Sequence, residues 1–271
     1  MSFSELTKID FAIGQEPKET LESFYKRQAT KPKLLINGTL FATSTGETIM
    51  NVTDEGVIKS QLASLKDGGF GILGDKDLYY GQMSDKAWRD YFPAYPLFVK
   101  DSKEFLFTNA SEINYLARRT AVGFNGTTVY AVLVDSPGLY LEGLQDIILA
   151  LGCTYALNLD GGGSTRAVYD GVAMVNTLWS RPVDSMIGFY IADKIIYRVQ
   201  TGAFSSQPNA EAFKLKIRAL EDTIGAGYAN AYVRFISPYY KVQVGAFSVK
   251  TNAERVVADL ATKGINSFIT T

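Results

Sequence analysis

An eight-residue string occurs twice near the carboxyl end of this chain. Tyr197-Arg-Val-Gln-Thr-Gly-Ala-Phe204 returns as Tyr240-Lys-Val-Gln-Val-Gly-Ala-Phe247, 43 residues later. The likeness runs on, because Asn209-Ala-Glu211 is echoed by Asn252-Ala-Glu254. A unit that repeats in this way cannot bury its apolar side alone, so the two copies must share one core. Each copy opens with the alternation of a strand and breaks at Gly-Ala-Phe. A helical pattern follows, over residues 210–220 and 253–263, with Asn placed as a helix cap. Strand-like runs at 231–236 and 267–270 close the copies. The expectation is two β-α-β halves, four strands under two helices. Residues 194–271 hold ten Lys or Arg against five Asp or Glu, whereas residues 1–193 hold seventeen against twenty-three. The shift from net +5 to net −6 supports two domains, 1–193 and 194–271.

The segment from Ile195 to Thr271 resembles the SPOR (sporulation-related repeat) domain, on the strength of the Tyr-Arg-Val-Gln-x-Gly-Ala-Phe opening. The resemblance implies a βαββαβ fold that binds peptidoglycan, favouring glycan strands stripped of stem peptides, through its sheet. The residues matching that surface are Gln200, Phe204, Gln243 and Phe247. From the residues alone, the glutamines alternate with Val199 and Val242 and should face away from the apolar side. For the two phenylalanines, core packing under the helices is the competing reading.

In the first domain the decisive run is Asn158-Leu-Asp-Gly-Gly-Gly-Ser-Thr165. An apolar strand ends in an acid, and three glycines then let the backbone turn and approach a ligand closely. Ligands gather at the carboxyl ends of strands in α/β sheets, which would put Asp160 at a site edge with two hydroxyls beside it. The alternative is a tight structural turn with a capping Asp. Short strands are expected at 34–36, 94–100, 104–107, 128–134, 166–169 and 186–191, with a helical face over 142–151 stopped by Gly152. Taken in order, Asn37-Gly38, Arg119-Thr-Ala-Val-Gly123, a strand, a helix, the Asp160 turn and Arg181-Pro-Val183 resemble the phosphodiester glycosidase family, related to the lysosomal enzyme that uncovers mannose 6-phosphate. The resemblance is strongest from Arg118 to Ile191. It implies a mixed-sheet domain whose glycine-rich turn lines the active site, so the expected fold class for the whole chain is α+β.

The chain has no histidine. That excludes a Ser-His-Asp triad, a Cys-His pair and a His-ligated zinc site within it. Its one cysteine, Cys153, lies in an apolar run and reads as a packed core thiol. Cutting a sugar 1-phosphodiester at the anomeric carbon needs a carboxylate to attack or to activate water, and cations to hold the phosphate. Asp160 is the candidate carboxylate. Arg119 and Arg181 are the candidate phosphate clamps, because a guanidinium fork matches phosphate oxygens; a surface salt bridge is the competing reading for each. The amides of Gly161, Gly162 and Gly163 could form a nest of donors. Asn37 and Asn158 would orient sugar hydroxyls, and Ser164 and Thr165 would hold Asp160 or phosphate. Arg166, Asp135 and Glu142 are second-rank candidates. No cofactor is called for. No carboxylate cluster spells out a metal site, and a divalent ion at Asp160 stays open.

The formal net charge of −1 gives no case for nucleic acid. No run approaches a membrane span, and the first fifteen residues do not read as a signal peptide. The expectation is therefore a glycoside hydrolase cleaving a sugar 1-phosphodiester, or a related glycosidic bond, in a bacterial cell-wall glycopolymer such as teichoic acid. Its second domain would hold it on peptidoglycan. Such a chain is made in the cytoplasm and would reach the wall after lysis or in a virion, as a bacteriophage lysis or tail protein does. Two alternatives stand beside it: a non-catalytic wall-glycan binder, and an intracellular hydrolase of nucleotide-type phosphodiesters.

Overall fold

A computed structural model describes residues 1–271 except 15–17, 62–67, 108–109, 176–177, 193–194, 221–227 and 229. The expected domain boundary, 193/194, lies outside the described residues. By contact density the chain parts into two compact units, Met1–Ala192 and Asp193–Thr271.

The first unit is built on three five-stranded sheets. One runs, in spatial order, Leu6–Ile13, Ser185–Ile191, Leu34–Asn37, Ala167–Tyr169, Val172–Met174. The second runs Val129–Leu139, Ala117–Phe124, Tyr155–Asn158, Leu97–Lys100, Lys103–Glu104. The third runs Val57–Ser60, Val52–Asp54, Asp90–Pro93, Gly69–Leu73, Asp77–Gly81. All three feed one core: Phe11, Ile36 and Ile187 from the first, Val122 and Leu157 from the second, Phe70, Ile72 and Phe92 from the third. The helix Leu141–Ala150 covers the second sheet through Leu141, Leu144 and Ile148. The helix Leu21–Arg27, capped by the Thr20 hydroxyl on the Ser23 N–H, packs Leu21 and Phe24 against Leu35, Phe41 and Val168.

Among the described residues every strand pairing is antiparallel, which corrects the expected mixed sheet. The reason is local. The helix Leu141–Ala150 does carry the chain between two strands running the same way, Val129–Leu139 and Tyr155–Asn158, as a β-α-β crossover would. But Ala117–Phe124 lies between them and pairs antiparallel with both, so the parallel strands never bond. Cys153 is buried, as expected of a core thiol, and burial pushes its pKa up to about 11.

Among the described residues, the second unit follows the order strand Tyr197–Phe204, helix Gln207–Arg218, strands Tyr232–Ile236 and Tyr239–Phe247, helix Lys250–Thr262, strand Ser267–Thr270. The two copies of the repeat pair with each other, Gln200 opposite Gln243. Val199, Val242 and Val244 face a core shared with Ile217 and Leu260 of the helices. The two phenylalanines, half-buried, follow the competing core-packing reading. Phe204 and Phe247 both pack against it, and Phe204 stands 5.2 Å from Phe213. Each ring curls back over the glycine two residues earlier: a β-carbon at Gly202 would lie 2.3 Å from Phe204, and one at Gly245 2.6 Å from Phe247. That is the physical content of the repeated Gly-Ala-Phe.

Candidate active site

The first and second sheets meet where the strands Leu34–Asn37 and Tyr155–Asn158 end. Asp160 lies at that junction, two residues past its strand, and its peptide is gripped on both sides. Its N–H donates to Gly38 O at 3.2 Å, and its carbonyl accepts from Asn37 Nδ2 at 2.7 Å. Asn37 is fully buried and spends the rest of its amide as well: Oδ1 accepts from Thr120 Oγ1 at 2.9 Å and from the Arg166 N–H at 3.2 Å. The expected sugar-orienting Asn37 is thus a positioning residue with no donor or acceptor left for a sugar. Gly38 is required by close approach, since a β-carbon there would sit 2.4 Å from Ser185 Oγ and 2.8 Å from the Ser185 backbone.

The carboxyl is turned into the glycine loop. Oδ1 accepts the Gly161 N–H at 2.9 Å. Burial raises the pKa of Asp160 above its ordinary 3.8, while the Ser164 hydroxyl, the Gly161 N–H and the Arg181 guanidinium pull the other way. Ser164 Oγ is itself buried and completes no hydrogen bond of ordinary geometry. The three glycines form a single tight turn over Gly162–Ser164. Gly162 takes φ +58°, a left-handed conformation that side chains disfavour. Gly163 is needed for another reason. A β-carbon there would lie 3.0 Å from Trp179 Cζ3 and 3.4 Å from Arg181 Nη1.

The two arginines part company. Arg181 is half-buried, stacked 5.3 Å over the Phe41 ring, and its guanidinium donates no hydrogen bond among the described residues. Arg119 is only 4% exposed, and it donates to Leu139 O at 2.9 Å and to Tyr115 O. Burial lowers its pKa, against the pull of Tyr115 and Glu142. Arg119, expected as a phosphate clamp, is therefore a backbone pin. The other candidates divide in the same way. Thr165 is fully buried, 3.3 Å from Thr120 Oγ1. Asn158 donates to Tyr95 O at 2.7 Å, while its buried Oδ1 has no partner among the described residues. Asp135 pairs with Arg118 at 2.8 Å, and Glu142 accepts from Asn114 at 2.6 Å. Arg166 pairs with Glu22.

Sequence reasoning did not find Trp179, Phe41 or Glu22. Trp179 had a signal, an aromatic two residues before Arg181 in Leu178-Trp-Ser-Arg181. Glu22 had none, being 144 residues from Arg166. Among the described residues no group of three or more His, Cys, Asp or Glu is placed to hold a metal ion. No helix among them is long and apolar enough to cross a membrane.

In the second unit, the sheet face opposite the helices carries a groove of about 530 Å³ lined by Arg198, Gln200, Arg234, Phe235 and Lys241. Gln200 is 3% exposed at its floor, and Phe235 is 56% exposed at its edge. Gln243 pairs beside Gln200 and is equally buried. Of the two glutamines Gln200 lines the groove, and the aromatic there is Phe235.

Comparison with known proteins places both units. The family model for phosphodiester glycosidase matches residues 30–190, and that for the SPOR domain matches residues 193–271. The mouse N-acetylglucosamine-1-phosphodiester alpha-N-acetylglucosaminidase is 27% identical over 176 residues, covering 55% of this chain and 33% of the mouse protein. The cattle protein of the same name is 26% identical over 174 residues, covering 55% and 32%. The chain spans about a third of the length of these curated relatives. Among solved structures, the catalytic domain of the zebrafish enzyme of that name, auto-inhibited by its pro-peptide, superposes with a TM-score of 0.58 at 18% identity, covering 68% of this chain and 73% of that one. A hypothetical protein from Synechocystis gives 0.54 at 14% identity, covering 68% and 56%. At these identities the two structures show the fold alone.

Proposed function

The chain belongs to the phosphodiester glycosidase family, and from that premise we propose that its first unit hydrolyses a sugar 1-phosphodiester in a bacterial cell-wall glycopolymer. One observation carries the reading. The peptide of Asp160 is clamped on both sides, while its carboxyl and the Arg181 guanidinium face one glycine turn, neither in a salt bridge among the described residues. A phosphate diester docks on Arg181 and the turn amides, with the anomeric carbon toward Asp160. Phosphate leaves without much acid assistance, so one basic carboxylate that attacks or activates water suffices. The burial that raises the Asp160 pKa makes it the stronger base.

The second unit, a SPOR domain by its family match, holds the enzyme on peptidoglycan. The glycan would lie in the sheet groove, where Gln200 lies beside Phe235 and three cations. Tethering raises the local substrate concentration without any new contact at the active site. The test is incubation of the full chain with purified walls and with teichoic acids, followed by mass spectrometry of the soluble fraction. Release of sugar-phosphate fragments supports the reading, and a soluble fraction indistinguishable from a no-enzyme control refutes it.

A further inference from the structure

The segment 178–181 lies across the Asp160 turn, and the described contacts give it a purpose beyond carrying Arg181. Trp179 lies against Gly163, within the space a β-carbon would take, yet stays 57% exposed. An open indole beside the Asp160 turn offers an apolar face with a polar N–H edge to a bound ligand. The segment beneath it is bolted down. Ser180 Oγ donates to Glu22 Oε2 at 2.7 Å, Arg166 Nε donates to Glu22 Oε1 at 2.6 Å, and Arg166 Nη1 donates to Trp179 O at 3.3 Å. Burial raises the Glu22 pKa, but the Ser180 and Arg166 hydrogen bonds outweigh it and hold the group ionised. Arg166 also follows the glycine turn directly and donates its N–H to Asn37. The bracket that fixes the indole is therefore the one that fixes the catalytic loop.

We propose that Trp179 is the platform on which the sugar ring stacks, and so the residue that selects the glycosyl group, with Glu22, Arg166 and Ser180 as its positioning residues. The inference rests on the sugar-phosphate reading above. An aromatic face covers the apolar C–H face of a pyranose, while Arg181 two residues on takes the phosphate. The two charged and aromatic groups are thus spaced for the two halves of one ligand.

Acrylamide quenching reads this directly. The chain has two tryptophans, and Trp88 is 4% exposed, so quenching reports Trp179 almost alone. Saturating N-acetylglucosamine 1-phosphate should shield Trp179, whereas inorganic phosphate should leave it quenchable. Trp179→Ala should raise KM about tenfold with kcat changed far less, and Trp179→Phe should restore most of it. Ser180→Ala should make Trp179 more quenchable in the free protein. Equal shielding by phosphate alone overturns the proposal, and so does a Trp179→Ala KM within twofold of wild type. The outcomes separate the two readings. Wall hydrolysis with an unshielded Trp179 removes the platform and keeps the hydrolase; shielding without hydrolysis does the reverse.

Discussion

Replacing Asp160 by Asn separates a catalytic carboxylate from a turn cap, because Asn can still cap the turn but cannot act as a base. The substitution keeps the volume. The Asn Oδ1 can still accept the Gly161 N–H at 2.9 Å, and the clamps from Asn37 and Gly38 act on the peptide and are untouched. What disappears is the charge and the basicity. Removing a general base costs ~100-fold or more in kcat, about 2.7 kcal/mol of barrier. Stability should move the other way. Burial raises the folded-state pKa of Asp160 above 3.8. A raised carboxyl pKa favours folding most below the unfolded value, and that contribution is lost as pH rises through the folded value. At pH 7 the wild type thus carries a charge that the site disfavours, and the variant does not. Thermal melts should find Asp160→Asn as stable as wild type or more so at pH 7, with the advantage vanishing near pH 3. The acid limb of the wild-type pH–rate profile should lie above the ordinary Asp value. Retained turnover within tenfold of wild type would refute the catalytic role.

Four further outcomes follow from the geometry. Arg181→Lys should depress turnover with the melting temperature unchanged, because its guanidinium stacks on Phe41 and donates no hydrogen bond among the described residues; unchanged kinetics would remove it from the site. Arg119→Ala should instead lower stability by about 2–4 kcal/mol in denaturant titration, by leaving two carbonyls without their donor; a fully stable variant would show the pin to be unnecessary. Asp54, whose pKa burial pushes up to about 6, contributes stability present below 3.8 and lost as pH rises through 6. Asp54→Asn should therefore stabilise the chain at pH 8, on the order of 1 kcal/mol for a half-solvated group, and do little at pH 4; equal effects at both pH values would contradict the assignment. The double variant Arg198→Ala, Arg234→Ala in the full chain should reduce pelleting with peptidoglycan sacculi at low salt, the groove being lined by three cations; unchanged pelleting would move the contact elsewhere.

What the sequence could reveal depended on whether the signal was local. The repeat, the two-unit division and the helix over Leu141–Ala150 were legible because periodicity and glycine stops are written in adjacent residues. Asp160 and its glycines were legible for the same reason. The strand Leu6–Ile13 was not: its alternation of Ile9, Phe11 and Ile13 is short and flanked by charges, and it is fixed by pairing with Ser185–Ile191, some 180 residues away. Arg119 and Asn37 were legible as residues, but their tertiary contacts were not. Both types suit ligands, and only tertiary partners reveal what they already bind: Arg119 donates to Leu139 O and Tyr115 O, while Asn37 donates to Asp160 O and accepts from Thr120 and Arg166. Phe204 and Phe247 turned inward because the repeated glycine leaves room for a ring, a fact about three-dimensional space that alternation alone does not contain.

C–O cleavage at the anomeric carbon, assisted by Asp160, is the step that defines the proposed activity. Hydrolysis in H₂¹⁸O measures that bond directly, with mass spectrometry of the products from a defined sugar 1-phosphodiester or from teichoic acid. Attack at the anomeric carbon places the label in the released reducing sugar and leaves an unlabelled phosphate monoester, and Asp160→Asn should abolish both products. Label in the phosphate would mean P–O cleavage, making the protein a phosphodiesterase and contradicting the central claim.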